Sequence, residues 1–141
     1  MIYLIGSLRN PAIPEITNKL TAAGFDIFSD WYAVGPEADD FWQAYEKGRG
    51  RSYIEALKSP AAQNVVAFDK RHLDKADMGI LVYPAGRSGH TEMGYMLGQG
   101  KKCFLLLDQE PGPEFRWDVM VNLATGVYLT LEEIIKEIRK E

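Results

Sequence analysis

The stretch IYLIGSLRNPAIPEITNKLTAAGFDIFSD, residues 2–30, indicates the fold class of this 141-residue chain. The apolar run at 2–7 ends in Gly-Ser, as expected for a buried strand. A helix is predicted over 14–24, because apolar residues recur at helical spacing and Gly24 supplies a C-cap. The segment at 25–30 has the pattern of a second strand. Strand, helix and strand in succession form a βαβ-type unit, which predicts a parallel sheet.

The rest of the chain continues this alternation. Strands are predicted over 78–84 and 102–108 and around the VYLT segment, and helices over 64–77, 90–100 and from Thr130 to the C-terminus. We therefore expect a single α/β domain spanning residues 1–141. Its sheet should have about five parallel strands flanked by helices, in a Rossmann-like or flavodoxin-like arrangement.

Residues 31–62 interrupt the alternation. The segment is rich in aromatic and acidic residues and has the spacing of two short helices, separated by Gly-Arg-Gly-Arg at 48–51. Its aromatic residues are Trp31, Tyr32, Phe41, Trp42, Tyr45 and Tyr53. The simplest interpretation is that most of them pack the insert onto the sheet. The alternative is that some of them enclose a ligand.

Composition limits the classes of function. A formal charge of −4 and a pI near 5.2 argue against a dedicated nucleic-acid-binding protein, but not against binding of a small anion. The single cysteine, Cys103, allows no intrachain disulfide and is expected in the core. The N-terminus does not resemble a signal peptide, and no apolar run approaches the ~20 residues of a membrane span. We expect a cytoplasmic protein without a membrane partner.

The loops that follow the predicted strands contain the candidate site. In open α/β sheets ligands bind beyond the carboxyl ends of the strands, where loops lead into helices. These loops supply Gly6, Ser7, Arg9, Ser29, Asp30, Trp31, Gly86, Arg87, Ser88, Gly89, His90 and Glu92. Ser7, Arg9 and Ser88 could converge on one phosphate, together with the backbone around Gly86 and Gly89. The glycine spacing matches neither a dinucleotide fingerprint nor a P-loop.

Glu92 is the candidate for chemistry. It lies in GRSGHTEMG (86–94), near the predicted helix start, where the helix dipole is expected to lower its pKa and keep it ionised. An ionised carboxylate beside a pocket can attack C1 of a sugar, and a second acid such as Asp69 can protonate or orient the leaving group. The alternative is that Glu92 only stabilises its own helix.

Other chemistries receive little support. His72 falls in a helical stretch that is expected to be exposed, and His90 has no second histidine or cysteine near it, so no metal is expected. A GxSxG nucleophile elbow is absent, and no cofactor is implied.

Four segments together resemble the nucleoside 2-deoxyribosyltransferase superfamily. They are YLIGSLR (3–9), FDKRHLDKADMGILV (68–82), GHTEMGYMLGQGKK (89–102) and DVMVNLATG (118–126). Within that superfamily the chain is most similar to the branch of deoxynucleoside 5′-monophosphate N-glycosidases.

The resemblance implies a role for each matching residue. Glu92 would be the nucleophile on C1′ of the sugar, Tyr3 would lie under the sugar and orient Glu92, and Asp69 would position the nucleophile or handle the leaving base. Ser7, Arg9 and Ser88 would bind the 5′-phosphate, with Gly86 and Gly89 in the same loop. Residues expected near the base or sugar are Gly6, Asp30, Trp31, Phe41, Trp42, His90 and, from a neighbouring subunit, Asn122.

The implied activity is hydrolysis of the N-glycosidic bond of a (deoxy)nucleoside 5′-monophosphate by a homodimer with shared active sites. One alternative is a deoxyribosyltransferase that exchanges bases on nucleosides, for which Arg9 would have no evident use. Another is a nucleotide-binding module without turnover. A fourth interpretation is hydrolysis of NAD-type glycosides.

Overall fold

A computed structural model describes residues 1–140. Five parallel strands form one sheet in the order β2-β1-β3-β4-β5. The strands are β1 (Ile2–Ile5), β2 (Ile27–Phe28), β3 (Met78–Val82), β4 (Lys102–Leu106) and β5 (Gly126–Tyr128). The predicted α/β class with a five-stranded parallel sheet is confirmed.

Six α-helices connect or follow the strands. They are α1 (Ile13–Ala22), α2 (Ala38–Gly48), α3 (Tyr53–Leu57), α4 (Pro60–Lys75), α5 (Arg87–Gly98) and α6 (Leu131–Arg139), and 3₁₀ turns cover Asp30–Val34 and Val119–Leu123. Gly24 follows α1 with a φ of 97°, which explains why this helix ends where the sequence predicts.

Several element bounds differ from the prediction. The second strand occupies only Ile27–Phe28 of the predicted 25–30. α4 begins at Pro60 rather than at residue 64, since proline is well tolerated in the first turn of a helix. α5 begins at Arg87 rather than at residue 90. Glu141, the predicted end of the last helix, lies outside the described residues.

Alternation along the strands divides the core into two layers. Ile2 and Leu4 of β1 face α1 and α6, in a cluster with Ile13, Ile16, Leu20, Leu131 and Ile134. Tyr3 and Ile5 face the opposite way, in a cluster with Phe28, Leu73, Met93 and Met96. Because side chains of a strand alternate between faces, Tyr3 necessarily lies on the side of α4 and α5. Cys103 is buried in this second layer, as predicted.

Two glycines allow α5 to lie close to the sheet. A Cβ atom on Gly79 would approach the Sδ atom of Met96 to 2.9 Å. A Cβ on Gly89 would lie 3.0 Å from Cβ of Ala85 and 3.4 Å from Cγ2 of Ile5. Glycine at these positions therefore holds the start of α5 against the central strands.

The insert packs only in part as predicted, since Trp31 and Tyr32 lie against the core. Phe41, Tyr45 and Tyr53 are exposed, with 68% of the surface of Phe41 open to solvent. Instead, the insert is held together by Glu46, which is buried at the junction of α2, α3 and α4. Its carboxylate accepts hydrogen bonds from Arg51 at 3.0 and 3.3 Å and from the Ser59 hydroxyl at 2.9 Å. Local polar pairing, rather than an aromatic core, fixes the helices relative to one another.

Among residues 1–140, no helix is both long enough and apolar enough to cross a bilayer.

Candidate active site

The candidate site lies at the topological switch point of the sheet. β1 is bordered by β2 on one side and β3 on the other. The loop after β1 leads to α1 on one face, and the loop after β3 leads to α5 on the opposite face. Loops that leave neighbouring strands toward opposite faces open a crevice between them, and ligands of open α/β sheets bind in that crevice.

A hydrogen bond between Tyr3 and Glu92 forms the centre of this crevice. The Tyr3 hydroxyl donates to Oε2 of Glu92 at 2.8 Å, which joins β1 to α5. Tyr3 is almost completely buried, at 1% exposure, whereas Glu92 is half-buried. One carboxylate oxygen is therefore held by Tyr3, while part of the Glu92 side chain remains accessible to solvent. The predicted partnership of these two residues is observed.

The predicted electrostatics of Glu92 are wrong in sign. Because α5 begins at Arg87, Glu92 lies in the second turn of the helix and not in the opening turn. The dipole effect falls off within the first turn, so it does not hold this group ionised. Burial instead raises the pKa of Glu92 to about 7; the bond from Tyr3 opposes this shift, and the charge of Asp69 adds to it.

Asp69 is the second acid of the site. It is half-buried on α4, and burial raises the pKa of its carboxyl group, against a smaller opposing effect of His72. Its negative charge raises the pKa of both Glu92 and Tyr3. The structure therefore places Tyr3, Asp69 and Glu92 within electrostatic reach of one another, as predicted for the three catalytic candidates.

The rings of Phe28 and His72 stack on each other next to the catalytic candidates. The Phe28 ring lies parallel to the imidazole of His72, with centroids 3.9 Å apart, and packs against Tyr3 at 5.3 Å. His72 is half-buried, contrary to the expectation that it lies in an exposed stretch, and its Nδ1 is 2.9 Å from the carbonyl oxygen of Phe68. Its place three residues after Asp69 on α4 was the signal that could have assigned it to the site.

The loop after β1 forms a tight polar turn. The Ser7 hydroxyl oxygen accepts a hydrogen bond from the backbone N–H of Arg9 at 3.1 Å. The Arg9 guanidinium is exposed and pairs with Asp40 of α2 at 2.9 Å. Asn10 is buried, and its Nδ2 has no hydrogen-bond partner among residues 1–140. Of these residues, the sequence analysis missed Asn10 and Asp40.

The loop before Glu92 is open to solvent. Gly86, Ser88 and His90 are exposed at the start of α5, on the same edge of the sheet as Ser7 and Arg9. Gly89, in contrast, is buried and serves the close packing of the helix.

Residues predicted to surround the base are divided between core and surface. The Trp31 indole donates to the carbonyl oxygen of Leu4 at 2.8 Å and lies 3.7 Å from the position of a Cβ on Gly6, so it covers the end of β1. Asp30 and Phe41 are exposed. Trp42 is half-buried, and its Nε1 has no partner in the described part of the chain.

Asn122 lies apart from the acids within one chain. It is exposed in the 3₁₀ turn before β5, where its Nδ2 donates to the carbonyl oxygen of Val119 at 3.0 Å. Apolar side chains around it are strongly exposed: Trp117, Val119, Met120 and Leu123.

Within residues 1–140, no cluster of three or more His, Cys, Asp or Glu side chains has the geometry of a metal site. Comparison of the chain with models of known protein families, and with curated protein sequences, finds no match in either case. The interpretation of the site therefore depends on its own geometry.

Proposed function

We propose that the chain is an N-glycosidase that hydrolyses (deoxy)nucleoside 5′-monophosphates through a covalent bond between Glu92 and C1′ of the sugar. The observation that carries this proposal is the 2.8 Å bond from Tyr3 to Glu92, at the switch-point crevice and beside Asp69. A half-buried carboxylate held by one oxygen has its other oxygen available for attack. The resemblance of the surrounding segments to deoxynucleoside 5′-monophosphate N-glycosidases supports the same reaction.

The two acids can share one proton. Burial raises the pKa of both carboxyl groups, and the charge of Asp69 raises that of Glu92 further, so ionisation of one acid opposes ionisation of the other. When the proton resides on Asp69, Glu92 is an anion next to the substrate. This singly protonated pair supplies a nucleophile and an acid at the same time.

The first step breaks the N-glycosidic bond. An Oε atom of Glu92 bonds to C1′, the electrons of the C1′–N bond move to the base, and Asp69 gives its proton to the departing base. In the second step Asp69, now a carboxylate, takes a proton from water as the water oxygen bonds to C1′. This releases Glu92 and the sugar 5-phosphate and restores the shared proton.

Basic and hydroxyl groups at this edge of the sheet support the proposed binding of the 5′-phosphate. The Ser7 hydroxyl hydrogen and the Arg9 guanidinium follow β1, and Ser88 lies on the first turn of α5 at the same edge of the sheet. Arginine forms two-pronged hydrogen bonds with phosphate, which explains its use at such a place. A transferase acting on nucleosides would have no phosphate for Arg9 to bind.

We also infer a homodimer. Trp117 is 89% exposed, and it lies beside Val119, Met120 and Leu123 around Asn122. Apolar side chains clustered at the surface typically mark a contact with another protein. A second copy covering this segment would bring Asn122 toward a neighbouring site, and analytical ultracentrifugation of Trp117→Ser should then show dissociation to monomers.

Base release tests the proposed reaction. The protein is incubated with each of four deoxynucleoside 5′-monophosphates and with the matching nucleosides, and free base is measured by chromatography. We expect free base from at least one monophosphate, much less from its nucleoside, and none with Glu92→Gln. Turnover of nucleosides alone, or exchange of bases without net hydrolysis, would instead indicate the transferase. Ligand binding without any base release would indicate the binding module.

A further inference from the structure

An ion pair between Arg9 and Asp40 lies at the proposed phosphate-binding loop. Arg9 belongs to the loop after β1, whereas Asp40 belongs to α2 in the insert, 31 positions away in the chain. Nη2 of Arg9 lies 2.9 Å from Oδ2 of Asp40, and both side chains are mostly exposed. The Arg9 guanidinium, which is proposed to bind a phosphate, is therefore already paired with a carboxylate of the same chain.

We propose that Asp40 is a competing anion that a phosphate group must displace from Arg9, and that it thereby determines the affinity of the site for phosphorylated sugars. This inference rests on the proposed function and adds a specificity-determining residue to it. Carboxylate and phosphate oxygens make the same type of charge-assisted hydrogen bond to arginine. The Asp40 carboxylate and a phosphate therefore compete for the same guanidinium group.

The ion pair between Arg9 and Asp40 is weak enough for a phosphate to replace Asp40. Exposed pairs of this kind shift an equilibrium only about one- to fivefold, because water and salt screen them. A phosphate dianion carries more charge than a carboxylate and would also reach the hydrogen of the Ser7 hydroxyl, whose oxygen is already occupied by the N–H of Arg9. Displacement of Asp40 by phosphate is therefore favourable, whereas an unphosphorylated sugar leaves the pair intact.

The same loop contains a buried hydrogen-bond donor without a partner. Asn10 is 6% exposed, and its Oδ1 accepts from the N–H of Ala12, yet its Nδ2 has no partner among residues 1–140. A buried donor without a partner is unfavourable, so the hydrogen-bonding groups of this turn are not fully satisfied among the described residues.

Displacement also frees the insert. Asp40 connects the first turn of α2 to the loop after β1. Once phosphate occupies Arg9, this connection is lost, whereas the attachment of α2 through Glu46, Arg51 and Ser59 remains. Phosphate binding is thereby coupled to the position of the helix that carries Phe41 and Trp42.

The test uses 2-deoxyribose 5-phosphate as a probe, because it carries the phosphate and is independent of the base. Its dissociation constant is measured by calorimetry, with 2-deoxyribose as the unphosphorylated control. Asp40→Asn should bind the phosphate about two- to fivefold more tightly, the size of an exposed ion pair. Asp39→Asn, which removes an equally exposed neighbouring charge, should change binding by less than about 1.5-fold.

A double-mutant cycle with Arg9→Gln shows whether the effect passes through Arg9. Arg9→Gln alone should weaken binding about tenfold or more. In that background Asp40→Asn should have no further effect, because the competition no longer exists. An unchanged affinity in Asp40→Asn, or the same gain with Arg9→Gln present, would overturn the inference.

The outcomes distinguish this inference from the proposed reaction. If Asp40→Asn tightens binding as expected but no monophosphate releases its base, the competition stands and the glycosidase proposal fails. If base is released and Asp40→Asn binds like the wild-type chain, the reaction stands and the competition fails. Absence of any phosphate binding in all variants would overturn the inference.

Discussion

Glu46 and Glu92 are two carboxylates removed from water in very different surroundings. Glu46, at 2% exposure, is met by the Arg51 guanidinium at both oxygens and by the Ser59 hydroxyl. Burial opposes its ionisation, but these donors outweigh burial, and the pKa of Glu46 is lowered. Glu92 has one neutral donor, Tyr3, and its pKa is raised to about 7.

The difference separates a structural carboxylate from a reactive one. Glu46 has a cation and sufficient hydrogen bonds, so its charge is compensated and its role is to hold the insert together. Glu92 accepts a hydrogen bond from Tyr3, which does not compensate a full negative charge, and it lies near a second acid, Asp69. A poorly compensated carboxyl group in a crevice, with a pKa near neutrality, is the arrangement expected of a catalytic acid or nucleophile.

The largest effect is expected from Glu92→Gln. Glutamine keeps an acceptor for the Tyr3 hydroxyl but cannot bond to C1′, so base release should fall by about 10³-fold or more. The rate of base release from monophosphates measures this loss. If Glu92→Gln retains a tenth of the wild-type rate, Glu92 is not the nucleophile, and its contrast with Glu46 has no catalytic meaning.

Asp69→Asn should reduce the rate about 100-fold, because the departing base loses its acid. It should also reverse the pH dependence. In the wild-type chain Asp69 and Glu92 lose the proton that they share as pH rises through about 7. The rate should therefore fall between pH 6 and 8. In Asp69→Asn only the ionisation of Glu92 remains, and its pKa is lower because the charge of Asp69 is gone, so the residual rate should rise with pH and level off by about pH 7. A falling profile in this variant would contradict the shared proton.

Tyr3→Phe should have a smaller effect, about tenfold on the rate. The variant keeps the ring packing on Phe28 and removes the bond that lowers the pKa of Glu92. The pKa of Glu92 should therefore rise by about one unit, which moves the alkaline fall of the pH–rate profile upward. A shift in the opposite direction would show that Tyr3 does not donate to Glu92 during turnover.

The last prediction concerns stability, for which the effects of the two carboxylates should differ in sign. The folded-state pKa of Glu92 lies above its ordinary value of 4.5, so its contribution to stability is present below pH 4.5 and lost as pH rises through about 7. Glu92→Gln should therefore raise the free energy of unfolding at pH 8, by up to about 3 kcal/mol.

Glu46 shows the reverse, because its lowered pKa means that ionisation stabilises the fold above pH 4.5. Glu46→Gln should lower the melting temperature at pH 8 and leave the pH–rate profile unchanged. Thermal unfolding of both variants at pH 5 and pH 8 checks the two signs. A loss of stability in both variants would remove the distinction between them.

Strand alternation explains how much of the fold and site the sequence could predict. The βαβ pattern of residues 2–30 and the apolar runs of β3 and β4 predict a parallel sheet, and a parallel sheet brings its loops to one edge. The proximity of Tyr3 and Glu92, 89 positions apart, was expected only from the resemblance of the segments to a known family. The register of β1 against β3 explains it physically.

Burial and side-chain pairing were the parts that sequence could not supply. The pKa of Glu92 was predicted in the wrong direction because α5 starts at Arg87, which moves Glu92 beyond the reach of the helix terminus. Most aromatic residues of the insert were expected to pack onto the sheet; Trp31 and Tyr32 do, but Phe41, Tyr45 and Tyr53 are exposed. Ion pairs such as that between Arg9 and Asp40 join segments that are distant in sequence, so no local sequence pattern predicts them.

The most direct measurement of the central claim is capture of the covalent bond to Glu92. The protein is mixed with a monophosphate that releases its base, quenched in acid within the first turnover, digested and analysed by mass spectrometry. The expected result is a peptide containing Glu92 that carries the mass of a sugar 5-phosphate less one water, and no such adduct in Glu92→Gln. Rapid base release without any adduct, or an adduct on another residue, would contradict the role of Glu92 as nucleophile.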